Sequence, residues 1–165
     1  MEKLLRQKTT NFIALILLLL GILAAFAYFS KQNVNRETEE SKATIRSALD
    51  RMKEYPDFKF VCAGAQIFQW IEQFDPRMFE EIRQRVEEGR FVIAGGWFVQ
   101  PDCNLPSGEG FARQSLYGQR YFFEKFGVTA RTGYNVDSFG HNASIPQILV
   151  KSGMDSYIAL RPNHL

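Results

Sequence analysis

The sequence predicts an α/β protein: an incomplete (β/α) barrel of about four βα units behind an N-terminal transmembrane helix or signal anchor. Three observations carry this expectation. Short β-branched or aromatic runs alternate with segments of helical length, and that alternation produces parallel strands. About 135 residues follow the first thirty, roughly half of the 250 or so that a complete (β/α)₈ barrel takes. The first thirty residues stand apart from everything after them by composition.

Residues Thr9 to Ser30 carry no charge, and Phe12 to Phe29 are apolar throughout apart from Gly21. Such a run as a helix, at about 1.5 Å per residue, spans about 27 Å, close to the hydrocarbon thickness of a bilayer. Lys3, Arg6 and Lys8 precede it, so the positive-inside rule puts the N-terminus in the cytoplasm, with a single pass through the membrane across residues 9–30 and the remainder exported. A cleaved signal peptide is the rival, because Ala25-Phe26-Ala27 forms an A-x-A site, and cleavage after Ala27 would release a secreted protein. The core helix of a soluble protein fits less well, since no polar face interrupts the run.

Three of the 20 basic and one of the 18 acidic residues precede position 31, which leaves the remainder electrically balanced. A nucleic-acid partner would need clustered positive charge and is not expected. Residues 31–42 are polar and charged and read as a linker running into a helix. Ile45, Ala48, Leu49 and Met52 then recur at helical spacing, predicting an amphipathic helix over Ser41 to Glu54, which Tyr55-Pro56 ends.

Phe58 to Ala63 predicts a buried strand and Gln66 to Phe74 a short helix. Asp75 caps the next helix, with Pro76 at its first position, where the missing N–H costs nothing. Phe79, Ile82 and Val86 form its inner stripe, and Gly89 stops it. Phe91 to Ala94 is the second strand, and the loop from Gly95 to Pro106 is long enough to carry function. Ser107 opens a helix that runs to about Phe126, Thr132 to Val136 is the third strand, Ser144 to Ser152 a helix and Ser156 to Leu160 a fourth strand. Right-handed crossovers would put all four strand ends on one edge.

The segment Tyr134 to Asn142 places Asp137 where the third strand ends and its loop begins, the edge where α/β folds keep catalytic groups. A turn-capping Asp is the bland alternative. Asp102, in the loop after the second strand, is open between contact with a bound ligand and stabilisation of its own turn. Trp97 is open between stacking on a flat ligand face and core packing. His141 follows Asp137 by four residues in a turn, which favours a hydrogen-bonding role at the mouth over metal ligation. Glu109 reads as a first-turn acid, and Arg113 and Arg120 as salt-bridge partners on their helix. Cys62 and Cys103 are open between pairing after export and remaining free.

Several ordered motifs carry a family resemblance. They are Gly95-Gly96-Trp97, Pro101-Asp102-Cys103-Asn104, Pro106-Ser107-Gly108-Glu109, Arg113-Gln114, Gly118-Gln119-Arg120, Asp137 to Asn142, Pro146 to Leu149 and Lys151 to Met154. With them, about Ala43 to Asn163 resembles the N-terminal catalytic domain of glycoside hydrolase family 38, the α-mannosidases. The resemblance implies an irregular α/β barrel and zinc-assisted, retaining hydrolysis of terminal α-mannosidic bonds, with α-mannoside glycans as partners. It implies that Asp137 is both nucleophile and metal ligand and that 43–165 is a partial catalytic domain, behind the anchor or signal at 1–30 and the linker at 31–42 that composition predicts. The family's His-x-Asp motif, on its first strand, would fall near Ile22 to Ser30, where this sequence has membrane-type residues. The family's acid/base Asp and last metal-binding His come from segments matching none of these residues. The expectation is therefore a family member inactive as this chain alone, holding zinc weakly and completed by the missing barrel half. The alternatives are a membrane-anchored, non-catalytic remnant that binds a partner or glycan, and a truncated or mis-joined reading frame.

Overall fold

A computed structural model describes residues 2–160, with side chains from Phe12 onward apart from Ile13 and Ala14. The residues 161–165, which include the last three of the family-like stretch, lie outside the described part. The described residues form five helices and four strands in the order α1 Glu2–Glu54, β1 Phe60–Ala63, α2 Ala65–Phe74, α3 Pro76–Glu87, β2 Phe91–Ala94, α4 Gly108–Phe126, β3 Thr132–Asn135, α5 Ile145–Lys151 and β4 Ser156–Ala159. The chain divides into two compact units after Ser41.

In the first unit, the segment expected as a linker at 31–42 is helical as well. The reason is local. Neither glycine nor proline occurs between Gly21 and Pro56, and Arg36 pairs with Glu40 one turn on at 3.9 Å. The apolar stretch is long enough to cross a membrane and its side chains are exposed; Phe26 is 74% exposed.

In the second unit, β1 pairs in parallel with β2, and β3 with β4. A single parallel bridge between Gly95 and Gly133 joins the two pairs. The strand ends Ala63, Ala94, Asn135 and Ala159 therefore share one edge. Side chains alternate along these strands: Phe91 and Ile93 are buried, whereas Val92 is 41% exposed. Val61 and Ile158 are likewise exposed. One face of the sheet is thus packed on helices and the other is bare, unlike a finished parallel sheet, which is covered on both faces.

The packed face forms two cores. In the first, Ile45, Leu49 and Met52 of α1 meet Phe68, Ile71, Phe79, Ile82, Phe91 and Phe122. The second holds Trp97, Cys103, Phe111, Ile145, Leu149 and Met154. The expected caps are present: Asp75 Oδ1 accepts from the Met78 N–H at 3.0 Å, and Ser107 Oγ from the Gly110 N–H at 3.1 Å. Gly118 has a different role. A Cβ there would lie 2.4 Å from the Trp97 carbonyl carbon, so only glycine lets α4 approach the loop after β2 this closely.

Candidate functional site

The shared strand edge carries the loop from Gly95 to Ser107, after β2, and the turn from Val136 to Ser144, after β3. The two segments touch. Gly140 has φ +136°, and a Cβ on it would sit 2.7 Å from Asn104 Nδ2. A side chain at 140 would displace that amide and strain the backbone, which glycine adopts freely.

Asp137 lies in that turn, two residues beyond β3, with its side chain exposed at the edge. Asp102 is committed to its own loop: its Oδ1 accepts the N–H groups of Asn104 and Leu105, both at 2.8 Å. These two backbone donors hold its carboxyl below the usual carboxylate range. Trp97 is 1% exposed, and its ring meets Phe111 edge-on at 5.0 Å, a core environment rather than an open platform. His141 is half-buried, with Nδ1 2.8 Å from Tyr157 Oη. Glu109 pairs with Arg113 at 2.8 Å, and Glu124 with Arg120 at 2.6 Å.

Both cysteines are free thiols. Burial pushes the Cys62 thiol up to about 12. Cys103 is 2% exposed and lies 2.9 Å from Asn135 Nδ2, 3.8 Å from His141 Nδ1 and 3.8 Å from Tyr157 Oη.

Among the described residues no group of three or more His, Cys, Asp or Glu side chains converges as a metal site would require. A zinc site takes three or four protein ligands, so the side chains around Asp137 do not fit a tightly held zinc ion.

Sequence reasoning passed over two features of this edge. One is the Asn135–Cys103–Tyr157 contact, whose members are distant in sequence and look like ordinary strand and loop residues. The other is a cavity of about 420 Å³ at the carboxyl end of β1, whose lining includes Trp70, Phe98, Tyr134, Gln66 and Gln100. Trp70 was legible only as a helical aromatic.

The glycosyl hydrolases family 38 N-terminal domain matches residues 27–164. Alpha-mannosidase G of Dictyostelium discoideum is 42% identical over 120 residues, which is 73% of this chain and 11% of that protein. Alpha-mannosidase 2C1 of Homo sapiens is 37% identical over 112 residues, 68% of this chain and 11% of that protein. The crystal structure of an alpha-mannosidase from Enterococcus faecalis superposes with a TM-score of 0.68 at 23% identity, covering 76% of this chain and 14% of that one. This chain thus spans about a tenth of the length of the curated relatives it matches.

Proposed function

The chain belongs to glycosyl hydrolase family 38, and from that premise we propose that it is part of an α-mannosidase, a retaining hydrolase of terminal α-mannosidic bonds in which Asp137 is the nucleophile. One observation carries the reading: an exposed carboxylate just past a parallel strand, inside the stretch that matches the family, at the edge where such folds do chemistry. In a retaining hydrolysis Asp137 attacks the anomeric carbon as a second carboxyl, about 5 Å away, protonates the leaving oxygen. That second group then takes a proton from water as the glycosyl ester is cleaved.

The described residues do not fit a zinc site, so any metal-assisted step in this family draws its ligands from more than these side chains. The bare sheet face, with Val61 and Val92 exposed, supports reading the second unit as part of a (β/α) barrel whose natural partner is the rest of that barrel. Of the mouth residues, His141 lines the site through its hydrogen bond to Tyr157, and Asp102 shapes the loop. Trp70, half-buried in an aromatic cavity, is better placed than the enclosed Trp97 to meet a sugar face. The apolar stretch of α1 anchors the chain, with Lys3, Arg6 and Lys8 on the cytoplasmic side.

The test is hydrolysis of an aryl α-mannoside by the 165-residue chain with zinc added. No turnover above a blank is expected from the chain alone. A rate that Asp137→Ala abolishes would show the chain to be sufficient and overturn the view that it needs a complement. A rate untouched by that substitution would overturn the assignment of Asp137.

A further inference from the structure

We propose that Cys103 is a positioning residue of this mouth, a buried hydrogen-bonding hub that keys the Asp102 loop to the Asp137 turn and to β4. Its bearing on catalysis rests on the reading of Asp137 as nucleophile; the hub itself rests on geometry.

The connections begin at Asn135, the last residue of β3, which is fully buried. Its Nδ2 lies 3.0 Å from the Pro101 carbonyl oxygen and 2.9 Å from Cys103 Sγ. An amide nitrogen carries two hydrogens, so one group serves both acceptors and ties the strand before Asp137 to the loop around Asp102. Among the described residues the Oδ1 of the same amide meets no partner, so they hold the side chain through its nitrogen. On the other side of the sulfur stands Tyr157 of β4, whose hydroxyl is 3.8 Å from Sγ and 2.8 Å from His141 Nδ1.

One assignment of protons serves the Asn135–Cys103, Cys103–Tyr157 and Tyr157–His141 contacts together. The Asn135 amide donates to Cys103, the thiol donates to the Tyr157 oxygen, and the phenol donates to His141 Nδ1, leaving the imidazole proton on Nε2. Burial and the neighbouring thiol raise the Tyr157 pKa, which keeps the phenol a donor. Each link joins a different segment: β3, the loop after β2, β4 and the turn after β3. An apolar residue of the same volume at 103 would fill the space yet break two links inside a region closed to water, where a lost partner is expensive. A hydroxyl there could restore both.

That contrast separates a hub from mere packing. The sequence has two histidines, so a His164→Gln background leaves His141 as sole reporter of ring tautomer by nitrogen NMR in the full-length chain. Loop order is read by amide exchange at Asn104 and Leu105, whose N–H groups bond to Asp102. Cys103→Val is expected to lose the Nε2–H tautomer signature and to speed exchange about tenfold. Cys103→Ser is expected to keep the tautomer and to stay within about threefold of the parent. Equal behaviour of Val and parent, or a Ser variant more disturbed than Val, would mean the side chain only fills space. Should Cys103→Val fail to fold, Cys103→Ala takes its place, and exchange and His141 tautomer both unchanged from the parent in that variant would sink the proposal. Neither readout uses a sugar, so loss of the mannosidase reading leaves this test standing, and loss of the hub leaves that reading to its own assay.

Discussion

Trp97 and Trp70 show how surroundings divide two identical side chains. Trp97 is enclosed against Phe111, with α4 pressed onto its backbone at Gly118. Replacing it with alanine opens a large void, at a cost of about 3–5 kcal/mol. A Trp97→Ala melt well below the parent is the expected result. Trp70 lines the cavity beside β1, and its removal leaves that packing intact. Titration with methyl α-mannoside should change the indole emission of the parent, and Trp70→Phe should remove the change without lowering the melting temperature appreciably. A full-sized response from Trp70→Phe would disprove the stacking role. The position of Asp137 just past the third strand was legible in sequence because strand and turn are contiguous. The buried state of Trp97 was not, because it depends on Phe111 and Gly118, which reach it only after α4 packs.

At the scale of elements, α3 is fastened to the second half of α1 by charge as well as by apolar contact. Arg46 Nη1 lies 2.8 Å from Glu81 Oε2, and Lys53 Nζ lies 3.0 Å from Glu81 Oε1. The Arg46 hydrogen bond, aided by Lys53, holds the Glu81 carboxyl below its ordinary range against the opposing effect of burial. A carboxylate depressed in the folded state contributes stability above its unfolded pKa of about 4.3, and that contribution disappears as pH falls through the folded value. Glu81→Gln should therefore cost about 1 kcal/mol in urea melts at neutral pH, discounted because Arg46 is partly solvated. Near pH 2–3 parent and variant should converge. A gap that persists there would assign the cost to packing instead. The helices and strands themselves followed from periodicity and capping residues. The helical state of 31–42 did not, because polarity alone does not tell a helical connection from an irregular one.

For the whole molecule, the exposed apolar stretch of α1 is long and apolar enough to cross a membrane, and its proposed role as an anchor can be tested directly. A charge at the centre of a membrane span costs about 2.5–3.5 kcal/mol. Leu19→Arg combined with Leu23→Asp should move the protein from a carbonate-resistant membrane pellet to the soluble fraction. If the parent is already extracted by carbonate, the stretch is not an anchor. Sequence by itself determined the family, the alternating elements, the apolar N-terminus and the position of Asp137 at a strand end, because each is written in neighbouring residues or in local periodicity. Tertiary structure alone decided which tryptophan is enclosed and that Cys103 meets Asn135, His141 and Tyr157. Those contacts join residues far apart in the chain and form only when parallel strands bring their carboxyl ends to one edge, a juxtaposition that no short stretch of sequence encodes.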